Sequence, residues 1–130
     1  MPGKKILVVD DEKKIRELLE IRLVSEGYEV ILGQNGEEGV ELAGKHLPDA
    51  IIMDVMMPRM DGADAVRLIQ ENPATKHIPV LFLTSIITPE EEKGQAFGIH
   101  LDAAKHKFMA KPFDTPVLLA EIRKMTAKPR

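Results

Sequence analysis

The sequence predicts an α/β fold: a three-layer, doubly wound, five-stranded parallel sheet with helices on both faces. Three observations carry that expectation. Short, continuous apolar runs recur along the chain, and such runs mark strands buried on both faces rather than one. Segments with helical spacing separate them, so the order is β-α repeated five times, (βα)5, which calls for a parallel sheet. Each run also stops abruptly at polar residues, as strands do where they leave a sheet. At 130 residues the length corresponds to about one domain, so 1–130 is expected to be a single domain.

The first run is Ile6-Leu7-Val8-Val9, which ends at Asp10-Asp11. A helical pattern starts near Lys13, with Ile15, Leu18, Leu19 and Leu23 at helical spacing. Asp10 or Asp11 is its expected N-cap, and Gly27 its stop. Tyr28 to Leu32 reads as the second strand, and Asn35-Gly36 as a turn. Glu37 to Lys45 reads as a helix that Pro48-Asp49 breaks. Ala50-Ile51-Ile52-Met53 is the third strand and ends at Asp54. A loop follows, punctuated by Pro58 and Asp61-Gly62. Ala63 to Glu71 is the third helix, with Val66, Leu68 and Ile69 apolar, and Asn72-Pro73 ends it.

Val80-Leu81-Phe82-Leu83 is the fourth strand and ends at Thr84-Ser85. Thr88-Pro89-Glu90-Glu91 has the form of a helix start, with Thr at the N-cap, Pro next and Glu91 completing a capping box. Phe108-Met109-Ala110 is a brief fifth strand, ending at Lys111-Pro112. The last helix starts at Thr115-Pro116 and carries Leu118, Ile122 and Met125 on one face. The tail from Lys128 to Arg130 is expected to fray.

Composition narrows the function classes. There are 18 Lys+Arg against 21 Asp+Glu, a formal net charge of −3, and no basic run. That balance argues against non-specific nucleic-acid binding, which needs a dense basic face. No apolar stretch reaches the roughly 18–20 residues of a membrane span, and the N-terminus lacks the pattern of a signal peptide. Cysteine is absent, so there is no disulfide framework, thiolate nucleophile or Cys-ligated metal. A cytoplasmic protein is the expectation. His46, His77, His100 and His106 show no zinc-ligand spacing. No Gly-rich phosphate loop is present.

In an open α/β sheet, ligands bind outside the carboxyl ends of the strands. Those ends carry Asp10-Asp11, Asp54, Thr84-Ser85 and Lys111. Taken singly, each has an ordinary reading as a helix cap, a turn acid or a solvated strand end. Taken together, three carboxylates, a hydroxyl and an amine converge on one sheet edge. Clustered carboxylates need a cation, and oxygen ligands alone suit a hard ion such as Mg²⁺. Metal, ammonium and hydroxyl are together oxyanion stabilisers, which fits a phosphoryl group. With no Cys, and a Ser that has no evident base, the nucleophile is a carboxylate and the product an aspartyl phosphate.

At these residues the chain resembles the receiver domain of bacterial two-component response regulators, of the stand-alone, chemotaxis-receiver-like kind with a flavodoxin-like fold. The matching stretches are Val8-Val9-Asp10-Asp11-Glu12, Asp54-Val55-Met56-Met57-Pro58-Arg59-Met60-Asp61-Gly62, Leu83-Thr84-Ser85 and Ala110-Lys111-Pro112-Phe113. The resemblance covers essentially the whole chain. It implies that Asp54 accepts a phosphoryl group from a phosphohistidine. It implies Mg²⁺ held by Asp11, Asp54 and the backbone carbonyl of Met56, with Asp10 acting through water. Lys111 and Thr84 would contact the phosphoryl oxygens, Phe108 would be the aromatic switch, and the Lys111–Pro112 bond would be cis.

The partners implied are a histidine kinase or histidine phosphotransfer protein and a downstream protein of unknown identity, with the chain a monomer or a phosphorylation-dependent dimer. Output is then a population shift reported through Thr84 and Phe108. The chain departs from the family pattern in being several residues longer between Thr84 and Lys111, at Gly98 to Lys107. That departure keeps in view an alternative, a pseudo-receiver acting as a non-phosphorylated adaptor. A Mg²⁺-dependent aspartyl phosphatase is disfavoured, because such enzymes of the haloacid-dehalogenase type carry a second Asp two residues past the nucleophile, where this chain has Met56.

Overall fold

The computed structural model describes residues 3–55, 57, 60, 62–84, 106–111 and 113–127, with backbone alone at 63, 106–108 and 110. The elements run β1 (Lys5–Val9), α1 (Lys13–Ser25), β2 (Glu29–Gly33), α2 (Gly36–His46), β3 (Ala50–Asp54), α3 (Gly62–Glu71), β4 (Val80–Thr84), β5 (His106–Ala110) and α4 (Thr115–Ala127). All five strands form one sheet in the order β2-β1-β3-β4-β5, and every pairing is parallel. The helix expected from Thr88 and the tail 128–130 lie outside the described residues.

Strand parity builds the three layers, because successive side chains point to opposite faces. Leu7, Val9, Ile51, Met53, Val80 and Phe82 face one way, and Ala43 of α2 with Ala65, Val66 and Ile69 of α3 cover them. Ile6, Val8, Ala50, Ile52, Leu81 and Leu83 face the other way, under Leu19 and Leu23 of α1 and Leu118 and Ile122 of α4. The central strands β3 and β4 are buried throughout. That double burial is why their sequences read as unbroken apolar runs. Strand β2 is an edge and is only half-buried over most of its length. Accordingly it starts at Glu29, one residue later than its apolar pattern suggests.

Several details differ from expectation. Asp54 and Thr84 are the last residues of their strands, not the first residues of the loops, because the ladder continues past them. The Val55 amide donates to the Leu83 carbonyl at 2.9 Å, and the Lys111 amide to Thr84 at 2.7 Å. Strand β5 starts at His106, so the last two residues of the segment 98–107 are strand. Helix α1 is capped at Glu12, without a side-chain cap. Asp10 and Asp11 do not fill that role, because the Asp10 carboxylate accepts from the Glu12 amide at 2.9 Å while facing the sheet edge. Asn35 is not merely a turn residue: it N-caps α2, accepting from the Glu38 amide, and Glu38 accepts from the Gln34 amide in return. Leu18 and Leu68 belong to apolar stripes yet are 37% and 39% exposed, at the rims of α1 and α3.

Among the described residues, no helix is long and apolar enough to cross a membrane.

Candidate functional site

The carboxyl ends of β1, β3, β4 and β5 place four of the expected residues side by side. Asp10 follows β1, whose last residue Val9 pairs with Met53 of β3. Asp54 ends β3 and pairs with Leu83, while Thr84 ends β4 and pairs with Ala110. Lys111 follows Ala110. Adjacent strands thus fix the backbone of the site before any side chain contributes. Behind it, the Gly62 amide donates to the Val55 carbonyl at 2.9 Å. A side chain at Gly62 would press on the Asp54 carbonyl, so α3 can start here only with glycine.

The side chains converge on one ammonium. Lys111 Nζ lies 2.8 Å from Asp10 Oδ2, 3.2 Å from Glu12 Oε1 and 3.5 Å from Asp54 Oδ2. Asp10 and Thr84 are fully buried and Asp54 is 3% exposed. Asp10 Oδ2 receives no well-aligned hydrogen bond, so its compensation is the charge of Lys111 at contact distance. Asp11 and Glu12 are exposed, and carboxylate oxygens of Asp10, Asp11 and Glu12 all lie within 4.8 Å of one another.

The electrostatics follow from this crowding. Burial raises the Asp54 carboxyl, and the charge of Asp10 and a hydrogen-bonding contact with Asp11 add to it. Lys111 offsets only part, and the group is pushed up to about 7. Burial also raises Asp10, against the pull of Lys111 and the Glu12 amide. Burial alone would lower Lys111, but Asp10, Asp54 and Glu12 outweigh it and hold its proton more tightly than usual. Among the described residues, Lys111 is the cation at contact distance of Asp10, Glu12 and Asp54. Oxygen donors without nitrogen or sulfur suit a hard divalent ion.

Asp10, Asp54 and Lys111 are thus brought together, with Asp11 beside Asp10 and Thr84 on the adjoining strand end. Phe108 lies on β5 opposite Phe82 by backbone register; its side chain is outside the described residues, as are Met56 and Pro112, and with them the carbonyl ligand and the cis bond. Two contributors carried no role in the sequence reading. Glu12 reaches Lys111, and Arg16 Nη1 donates to the Asp10 carbonyl at 2.7 Å, tying the first turn of α1 to the end of β1. Adjacency to the Asp10-Asp11 pair was the one available signal for Glu12. Arg16 had none.

Comparison with known proteins gives the family and the fold. The family model described as response regulator receiver domain matches residues 6–123. Response regulator PleD of Caulobacter vibrioides is 38% identical over 123 residues, covering 94% of this chain and 26% of that protein. The alkaline phosphatase synthesis transcriptional regulatory protein PhoP of Bacillus subtilis is 37% identical over 121 residues, 93% of this chain and 48% of that one. The chain therefore spans less than half the length of these two relatives. Among solved structures, the chemotaxis protein CheY4 of Vibrio cholerae has a TM-score of 0.82 at 32% identity, covering 95% of this chain and 98% of that chain. The receiver domain of sensor histidine kinase PA1611 from Pseudomonas aeruginosa, solved with a magnesium ion coordinated in its active site cleft, has a TM-score of 0.83 at 27% identity, covering 97% and 99%.

Proposed function

Because this chain belongs to the response regulator receiver family, we propose that Asp54 accepts a phosphoryl group from a phosphohistidine and that the aspartyl phosphate is the signalling state. The observation that carries this reading is Asp54 itself. It is a nearly buried carboxylate at a strand end, with the Lys111 ammonium 3.5 Å away and Asp10 beside it. Burial without full neutralisation suits a nucleophile, and the ammonium suits the phosphoryl oxygens it would meet.

In the transfer, an Asp54 oxygen forms the O–P bond while the P–N bond of the donor breaks. The bonding pair returns to the imidazole nitrogen. Lys111 holds negative charge on the phosphoryl oxygens, and the Thr84 hydroxyl donates to one of them. Asp10, Asp11 and Asp54, with the Met56 carbonyl, are the groups that would hold Mg²⁺. The oxygen-only, under-neutralised donor set fits that ion, which when bound draws negative charge off the phosphoryl group. Phe108 is the aromatic residue proposed to change position with Thr84, and Lys111–Pro112 is the proposed cis bond.

On the same reading, 1–130 is one receiver unit acting in the cytoplasm. Its donor is a histidine kinase or histidine phosphotransfer protein, and its output is contact with a further protein. It is a switch that promotes its own phosphorylation and hydrolysis rather than a metabolic enzyme.

Intact mass after incubation with acetyl phosphate and Mg²⁺, then with a phosphohistidine donor, tests the proposal. The expected result is one phosphoryl adduct, lost with EDTA and lost in Asp54→Asn. No adduct from either donor, together with no Mg²⁺ binding, would overturn it in favour of a constitutive adaptor.

A further inference from the structure

We propose that Glu12 is a positioning residue that occupies the Lys111 ammonium in the unphosphorylated protein and must release it before a phosphoryl group can be held. This rests on the phospho-acceptor reading of Asp54. An ammonium has three N–H donors, and three carboxylates stand around this one, at 2.8, 3.2 and 3.5 Å. Of the three, Glu12 is the one that accepts a hydrogen bond from the ammonium, and with carboxylates on three sides an incoming phosphoryl oxygen has to take a place already held.

The three holders are not equivalent. The Asp10 side chain is 1% exposed, and freeing it would leave a buried carboxylate unpaired beside Asp54, a costly state. Asp54 is the acceptor itself. The Glu12 side chain is 61% exposed, and its carboxylate returns to water at little cost. Glu12 therefore yields.

Its placement does not depend on that contact. The Glu12 amide donates to Asp10 Oδ1 at 2.9 Å, and its carbonyl accepts from the Ile15 and Arg16 amides at 3.1 Å. These are backbone bonds that a substitution of the side chain leaves in place. Glu12 is thus a pre-set competitor, and the resting site is slower to take up phosphoryl than its acceptor and cation alone would make it.

The test compares the wild type, Glu12→Gln and Glu17→Gln in phosphoryl uptake from acetyl phosphate, read as adduct formation on Asp54 with release of acetate. Each reaction is followed across a Mg²⁺ titration. Glu17→Gln removes the same charge from α1, where Glu17 pairs with Lys13 at 3.7 Å and not with Lys111. The expected result is a rate about two- to five-fold higher for Glu12→Gln at saturating Mg²⁺, the span of one exposed ion pair. Glu17→Gln should match the wild type in rate, and the urea midpoint of Glu12→Gln should fall by no more than the loss of that one ion pair. An equal gain in both variants would make the effect a general field and overturn the proposal. So would an unchanged or slower Glu12→Gln. A five-fold rise in the Mg²⁺ needed, with no gain at saturation, would make Glu12 a metal ligand instead. A wild type that takes up no phosphoryl from either acetyl phosphate or phosphohistidine would overturn the acceptor reading along with this one. Labelled wild type with an unresponsive Glu12→Gln overturns this one alone.

Discussion

Asp49 and Asp54 stand at opposite ends of β3. Asp49, at the amino end, accepts the Lys5 amide on its carboxylate at 2.8 Å, and its own amide donates to the Lys5 carbonyl at 2.8 Å. It is half-buried and fastens the start of β3 to the start of β1. Asp54, at the carboxyl end, shares its surroundings with Asp10 and Asp11 and is pushed up to about 7. The same residue type is thus used once to satisfy backbone and once to accumulate charge. The difference teaches where the sheet gains stability and where it gives some up to hold a reactive group.

The comparison can be broken or sharpened by substitution, with urea denaturation of the metal-free protein as the readout. Lys111→Ala should have the largest effect, a loss of about 3 kcal/mol at neutral pH, because it leaves buried Asp10 without its counter-charge. Asp54→Asn should act in the opposite direction and stabilise by about 2 kcal/mol, because it removes a buried, under-neutralised charge. Asp49→Ala should destabilise by about 1 kcal/mol, the usual net worth of one intramolecular hydrogen bond, here at a half-buried site. If Asp49→Ala and Asp54→Asn shift the midpoint in the same direction, the contrast between the two ends of β3 is wrong.

A further readout is a slope with pH. In the fold Asp54 keeps its proton up to about pH 7, whereas its ordinary value is 3.8. The folded state therefore binds the extra proton across that window, and stability falls as pH rises through it. Asp10 is raised in the same direction and adds to the slope. Lys111 is raised above 10.5, so its contribution is complete below that value and does not enter the window. Asp54→Asn should flatten the slope. A cation at the site competes with the same proton, so Mg²⁺ affinity, measured by titration, should rise as pH passes 7.

Much of this was legible in the sequence because the relevant forces are local or topological. Unbroken runs such as Ala50 to Met53 and Val80 to Leu83 announce strands covered on both faces, and parallel order then puts Asp10, Asp54, Thr84 and Lys111 at one edge. The half-buried β2 was blurred for the complementary reason, since an edge strand has no need of a continuous run. The N-cap of α1 was misread because Asp10 serves a tertiary site, and local capping propensity yields to that. Glu12 stayed hidden because its contact with Lys111 joins residues 99 positions apart. It depends on where α1 starts relative to the return of β5, which no spacing encodes.

The strand order carries a further consequence, in terms of local opening. Asp10 and Asp54 leave from β1 and β3, each bonded to a neighbour on both sides. Lys111 leaves from β5, which among the described strands has β4 as its one neighbour. Releasing β5 gives up one ladder, while releasing β1 or β3 gives up two. The cation is therefore carried by the more separable part of the sheet and the acids by its permanent centre. Amide hydrogen exchange should show this as lower protection along β5 than along β1 and β3. Excursions that withdraw Lys111 then leave the acid pair assembled.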